Sequence, residues 1–193
     1  MLTPDQFHSL VGHLRVAGWA DGDIAWAENI QPPENAEAFA LETIFVICNS
    51  GMRFTVARKI FEAVKGAIVA GTSAADVFGH KAKAAAIDTI WQTRAQLYKD
   101  FMASEDRMAF LRAIPWIGPT TVFHLGKNFG EQVAKPDVHL VRLGKLWGKE
   151  PQALCEDLAK MTGYRVATVD TLLWRACATG VLCARTGDIR AAA

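Results

Sequence analysis

Two features near the middle of the chain carry groups able to do chemistry. Asp137 stands in Lys135-Pro136-Asp137-Val138-His139. Nineteen residues before it ends the run Ile114-Pro115-Trp116-Ile117-Gly118, a short Pro/Gly bend between two helix-like segments. A bend that ends in glycine and opens a helix presents unpaired backbone N–H groups and the positive end of a helix dipole, which is the chemistry of phosphate binding. A carboxylate a fixed distance downstream could act on what that phosphate carries, stabilising positive charge on a sugar and orienting water. Asp137 is equally suited to cap a helix, since it follows Pro136 and precedes the apolar Val138, Leu140 and Val141. The two roles are compatible on one side chain.

Helices must position these groups, because no segment sustains the alternation of a strand and helix-length segments prevail. Thr3-Pro4-Asp5 reads as a cap, a proline at the first helical position and an acid in the first turn, ahead of Phe7, Leu10, Val11 and Leu14 at helical spacing. Asn35 can cap a helix over 36–48 that is apolar almost all round and therefore central to the core. Asn49-Ser50-Gly51 ends it. Residues 53–68 are amphipathic, Gly71-Thr72-Ser73 starts a short helix, and a longer one is expected over 81–101. Ser104-Glu105-Asp106 caps the helix entering the bend; helices over 154–161 and 166–183 complete the chain, and the last ten residues look frayed. The expected fold class is all-α, with roughly ten helices.

Composition narrows the class without naming a function. A chain of 193 residues with 51% hydrophobic content and mean hydropathy +0.11 supports a sizeable core and argues against disorder. No apolar run reaches about 18 residues, so no membrane partner is expected, and the N-terminus lacks the pattern of a signal peptide. Cys48, Cys155, Cys177 and Cys183 show no zinc-like spacing and read as reduced thiols of a cytoplasmic protein. The net charge is +1, yet residues 1–50 carry one basic and seven acidic side chains while residues 51–150 carry fifteen and nine. That asymmetry permits either a basic face or an ordinary mixed surface.

The order of segments from about Glu42 to about Leu146 resembles the helix-hairpin-helix DNA glycosylase superfamily, which includes endonuclease III, the adenine-mismatch glycosylase and the alkylbase glycosylases. The most specific pieces are the bend and Pro136-Asp137-Val138-His139-Leu140-Val141-Arg142-Leu143, similar to the family's Val-Asp-Thr-His-x-x-Arg pattern. The resemblance implies one domain over 1–193 with two helical lobes, about 36–146 and about 1–35 plus 147–193, and a cleft for DNA and base between them. It implies phosphate contact through amides near Ile117, Gly118 and Thr120, with Thr121 following, and catalysis by Asp137. The turn Asn49-Ser50-Gly51-Met52-Arg53 falls where family members push a side chain into the space of a flipped base, which makes Met52 a candidate wedge and Arg53 a DNA contact. Helix termination with Met52 in the core is the other reading.

Departures from the family pattern matter as much. Trp116 stands where the family usually has glycine, a position of positive φ that tryptophan tolerates poorly; its ring could lie on DNA or cover the core. Bifunctional members carry a lysine at the position of Thr120. A threonine hydroxyl forms no Schiff base, so the resemblance implies a monofunctional, water-using enzyme. Two of the four cysteines needed for an iron–sulfur cluster are missing near the C-terminus, so no cofactor and no metal are expected. The adenine-specific glutamate would fall near Phe45 to Ile47, which are apolar.

His139 and Arg142 match the family segment, with second-layer, phosphate-side or structural roles open. Lys127 and Lys135, with Arg58, Lys81, Lys83 and Lys145, are phosphate contacts or solvated side chains. The six tryptophans line a base pocket or fill the core, the core being the simpler reading for Trp19, Trp26, Trp91, Trp147 and Trp174.

The expectation is a base-excision-repair enzyme acting on double-stranded DNA that contains a damaged base. It is expected to be a cytoplasmic monomer, nucleoid-associated if bacterial, with a weak tilt toward alkylated purines. Still open are a glycosylase with lyase activity for oxidised or deaminated bases, a DNA-binding module without catalysis, and a helical domain that binds small molecules or proteins.

Overall fold

Side-chain caps write half of the helix starts. Thr3 Oγ1 accepts from the Gln6 amide while the Gln6 side chain returns to the Thr3 amide, a reciprocal box that starts α1 (Pro4–Val16). The computed structural model describes residues 1–190. After α1 come α2 (Ala20–Glu28), α3 (Ala36–Asn49) capped by Asn35, α4 (Phe54–Val69), and a 3₁₀ turn (Ala74–Asp76) capped by Ser73. Then follow α5 (Lys81–Gln92), α6 (Arg94–Ala103) and α7 (Arg107–Ala113) capped by Asp106. The last four are α8 (Thr121–Asn128), α9 (Val138–Trp147), α10 (Pro151–Thr162) and α11 (Val166–Ala178). The described residues are all-α, their only β feature being a single antiparallel bridge between Leu182 and Ile189. None of these helices is long and apolar enough to cross a membrane.

The chain divides into two compact units, a central one (Gln31–Phe129) and a terminal one built from Met1–Ile30 and the chain from Gly130 onward. The central unit is organised on α3, which packs against α4, α5, α6 and α8 and buries Phe39, Ala40, Ile44, Val46 and Ile47. Phe39, Phe101 and Phe129 form an aromatic triangle with centroids 5.2–5.3 Å apart. The terminal unit buries Phe7, Leu10 and Leu14 of α1 with Leu140 and Leu143 of α9, Leu154 and Leu158 of α10, and Leu172 and Leu173 of α11. The Arg165 guanidinium closes this unit by donating to the carbonyls of Ala27, Glu28, Ile30 and Gly130 at 3.0–3.3 Å.

Five features differ from the sequence reading. The central unit ends at Phe129, well before 146, because Leu140 and Leu143 of α9 bury against the terminal helices. The helix expected over 81–101 breaks at Thr93, whose hydroxyl turns back to the Thr89 carbonyl and competes with the backbone ladder. The helix α10 begins three residues earlier than expected, with Pro151 at its first position. The last helix stops at Ala178 ahead of Gly180, whose φ of 80° reverses the chain. Most of the tail expected to fray is instead a closed turn, with Gly187 N donating to Cys183 O at 2.8 Å and Arg190 N to Val181 O at 2.8 Å; residues 191–193 lie outside the described residues.

Candidate functional site

In the central unit, the bend after α7 starts a helical turn earlier than the formal start of α8. Val122 N donates to Gly118 O at 3.0 Å, so Gly118 sits at the cap position, Pro119 at the first helical position, and Thr120 and Thr121 follow. Thr121 Oγ1 accepts from the Gly118 amide at 2.6 Å. The Ile117 amide donates to Ile114 O at 3.0 Å, and the Ile117 side chain is buried. Two of the amides expected to face an anion, those of Ile117 and Gly118, are thus committed inside the bend. The open donors are one step further on: the amides of Thr120 and Thr121 have no acceptor among the described residues, because glycine at the cap offers no side-chain oxygen.

Trp116 adopts φ 70°, the only non-glycine residue with positive φ among the described residues. The tryptophan therefore accepts the left-handed backbone that the bend demands, at a cost of about 1–2 kcal/mol. Contacts along its indole offset that cost. Nε1 donates to the Ala82 carbonyl at 3.2 Å, the ring meets His80 edge-on at 5.1 Å, and Lys83 Nζ lies 5.8 Å from its centroid. The ring stays 43% exposed, so it neither fills the core nor leaves the surface.

The bend and the 49–53 turn meet in this unit. A depression of about 390 Å³ is lined by Ser50 together with Trp116, Ile117, Gly118, Pro119, Thr120 and Thr121. Lys83 fastens the turn: its ammonium is buried and donates to Ile47 O and Ser50 O, both at 2.9 Å, satisfying carbonyls at the end of α3. Burial pulls the Lys83 pKa down, and burial likewise pushes the neighbouring Cys48 thiol up to about 11. Lys83 is a structural clamp, unavailable as the phosphate contact suggested by its charge. Lys127 is also buried. Met52 packs against the core of the unit, as the second reading of that residue had it, while Arg53 is exposed at the start of α4.

Asp137 belongs to the terminal unit and is built up from its neighbours. The Ala134 amide donates to Gln152 of α10 at 2.7 Å, and the Lys135 amide to the buried Asp170 of α11 at 2.9 Å. A tight turn across Pro136 follows, with Asp137 N donating to Lys135 O at 2.7 Å. Asp137 then caps α9: its Oδ1 alone accepts from the amides of His139 at 2.8 Å and Leu140 at 3.0 Å. The other oxygen, Oδ2, takes no hydrogen bond from the described residues. The capping role is therefore real, and it occupies only half of the carboxylate. Asp170, which holds the loop carrying Asp137, escaped the sequence reading because nothing in its helical context marks it as buried.

Glu42 also escaped it. One helical turn before Phe45 on α3, it accepts from Asn128 Nδ2 at 2.6 Å, while Asn128 Oδ1 is buried with no partner. Burial raises the Glu42 pKa, and the bond from Asn128 only partly opposes this.

The tryptophans are mostly at the surface: Trp19, Trp26 and Trp174 are exposed, with Trp19 and Trp174 stacked on Arg175 at 4.4 and 5.0 Å. Compared with protein-family models, with curated proteins and with solved structures, the chain finds no match in any of the three.

Proposed function

We propose that this protein is a monofunctional DNA glycosylase of the helix-hairpin-helix type, with α7, the bend and α8 as its DNA-binding motif. The observation that carries the reading is the half-used carboxylate of Asp137, fixed by two amides on Oδ1 and unengaged on Oδ2. Breaking an N-glycosidic bond sends the bonding pair out with the base and leaves positive charge on the deoxyribose. A fixed oxygen with no hydrogen bond of its own stabilises that charge and orients the water that adds to the sugar carbon. The products are a free base and an abasic site.

The bend supports the same reading from the phosphate side. Open amides at Thr120 and Thr121, at the positive end of α8, suit one phosphate of a duplex. Ser50 shares the depression beside them, so the 49–53 turn with Arg53 contributes to the same DNA surface. Chemistry on a base in a duplex needs that base extruded, and the substrate is a double-stranded DNA carrying a damaged base. With threonine at 120, the reaction uses water and forms no Schiff base.

A panel of duplexes, each with one alkylated, oxidised or deaminated base, tests the proposal. Release of a damaged base, leaving an abasic strand and no borohydride-trapped complex, is the expected result. Salt-sensitive DNA binding with no base released from any duplex would leave a DNA-binding module in place of an enzyme, and an efficient trapped complex would show that an amine is the nucleophile.

A further inference from the structure

The chain leaves the terminal unit after Ile30 and re-enters it at Gly130. One side chain of the terminal unit holds both places. Arg165, at the cap position of α11, donates from Nη1 to the carbonyls of Ala27, Glu28 and Ile30 at 3.0–3.3 Å. Its Nη2 donates to Gly130 O at 3.1 Å. All of these residues belong to the terminal unit. The Arg165 amide adds a bond to Glu28 Oε1 at 3.0 Å, an oxygen that also accepts from the Thr168 hydroxyl at 2.5 Å. The start of α11 is thus zipped to the end of α2.

The two passages are built differently. The outgoing one runs into Pro32-Pro33, whose fixed φ angles stiffen it. The returning one turns at Gly130, with φ 90°, a backbone that a side chain would strain. Residues 130–136 are then the loop that delivers Asp137, and α10 and α11 hold it at several points. Gln132 Oε1 accepts from Val166 N at 3.2 Å, and Gln132 O from Gln152 Nε2 at 3.0 Å. Ala134 N and Lys135 N follow, on Gln152 and Asp170. Arg165 holds the first residue of this loop, and the same guanidinium grips the outgoing passage. A planar fork of N–H donors can serve two sets of carbonyls at once, which a single ammonium cannot.

We propose that Arg165 is a positioning residue for Asp137: its guanidinium pins both passages of the chain and so keeps the loop that ends at Asp137 in place. Any displacement carried along the chain from the central unit enters the loop through the Phe129–Gly130 peptide, and the Gly130 carbonyl is fixed immediately beyond it. Without the pin, the holds on Gln132, Ala134 and Lys135 must absorb that displacement alone. The effect on catalysis rests on the glycosylase reading, whereas the effect on the loop needs no DNA.

Amide hydrogen exchange of the full chain, native against Arg165→Lys and Arg165→Met, tests the pin. The reporters on the loop are Val133 N, bonded to Glu131 O at 2.9 Å, and Ala134 N. On the outgoing side the reporter is Asn29 N, bonded to Trp26 O at 3.2 Å. Arg165→Met should speed exchange at all three by about tenfold. Arg165→Lys, whose one nitrogen stays with the three carbonyls of 27–30, should speed it at Val133 and Ala134 only. Amides of α1 and α10 should keep native rates in both variants; if Arg165→Met does not fold, Arg165→Lys decides alone. On a damaged duplex, Arg165→Lys should release base about ten- to a hundredfold more slowly with DNA affinity retained. Native exchange at Val133 and Ala134 in Arg165→Lys, a rise spread evenly over the terminal unit, or native base release from a loosened loop would overturn the proposal. A native chain that releases no base would sink the glycosylase reading alone and leave the exchange pattern to decide the pin.

Discussion

The starts of α8 and α9 have the same register and opposite chemistry. In one, Gly118 holds the cap position and the amides two and three residues later, at Thr120 and Thr121, are left open. In the other, Asp137 holds the cap position and the amides two and three residues later, at His139 and Leu140, are satisfied by its carboxylate. The first start leaves two amides open at the positive end of a helix; the second carries a carboxylate of its own. One helix-terminus geometry thus yields either a pair of open amides or a fixed carboxylate, and the residue type at the cap decides which. The conformational costs differ as well. The bend holds strain at Trp116, whereas the loop before Asp137 is relaxed and held by Gln152 and Asp170.

The most forceful way to break the comparison is to turn the first start into a copy of the second. A Cβ at Gly118 meets only Thr121 Oγ1, at an ordinary 3.7 Å, so the site has room for a side chain. Gly118→Asp should raise stability by about 0.5 kcal/mol, as a cap and a favourable charge on the dipole. It should also weaken binding to duplex DNA by about tenfold or more, because a like charge then stands at the proposed phosphate position. Unchanged affinity in a salt-matched titration would take the bend out of the DNA interface.

A smaller effect sharpens the account of strain. Glycine normally costs stability relative to alanine, but at φ 70° the order should reverse. Trp116→Gly should be more stable than Trp116→Ala by about 0.5–1 kcal/mol in urea denaturation, and the opposite order would mean that the bend relaxes when the indole is removed.

The smallest effect concerns Glu42, at the far end of α8 through Asn128. Its folded pKa is raised by burial, so its contribution to stability is complete below about 4.5 and fades as pH rises through the folded value. The urea midpoint of the native chain should therefore fall on going from pH 4.5 toward neutrality more than that of Glu42→Gln, which keeps an uncharged partner for Asn128. Parallel profiles would show that Glu42 is not the titrating group.

What the sequence made legible was mainly local. The caps Thr3, Asn35, Asp106 and Asp137 satisfy amides within three residues of themselves, and each was readable from residue type and neighbours. Features that depend on distant partners were not. The membership of α9 in the terminal unit follows from where Leu140 and Leu143 bury, and Lys83 looked like a surface cation until α3 supplied its two carbonyls. The charge asymmetry along the chain also dissolves in three dimensions. The central unit carries eleven basic and nine acidic residues and the terminal unit ten and eleven, because 130–150 folds with the termini. Trp116 is the instructive case: the resemblance implied a positive φ at a position where tryptophan is poorly tolerated, and the contacts with Ala82, His80 and Lys83 that accommodate it there were not readable.

The central claim is that Asp137 caps α9 with one oxygen and does chemistry with the other. Asp137→Asn separates the two, because asparagine caps nearly as well as aspartate but brings no charge. Base release and urea stability, measured on the same preparation with the damaged duplex that the native chain processes, should show activity down by about 10²- to 10⁴-fold, with stability within about 0.5 kcal/mol of native and DNA binding retained. Base release at the native rate by Asp137→Asn would reduce Asp137 to a cap and contradict the account.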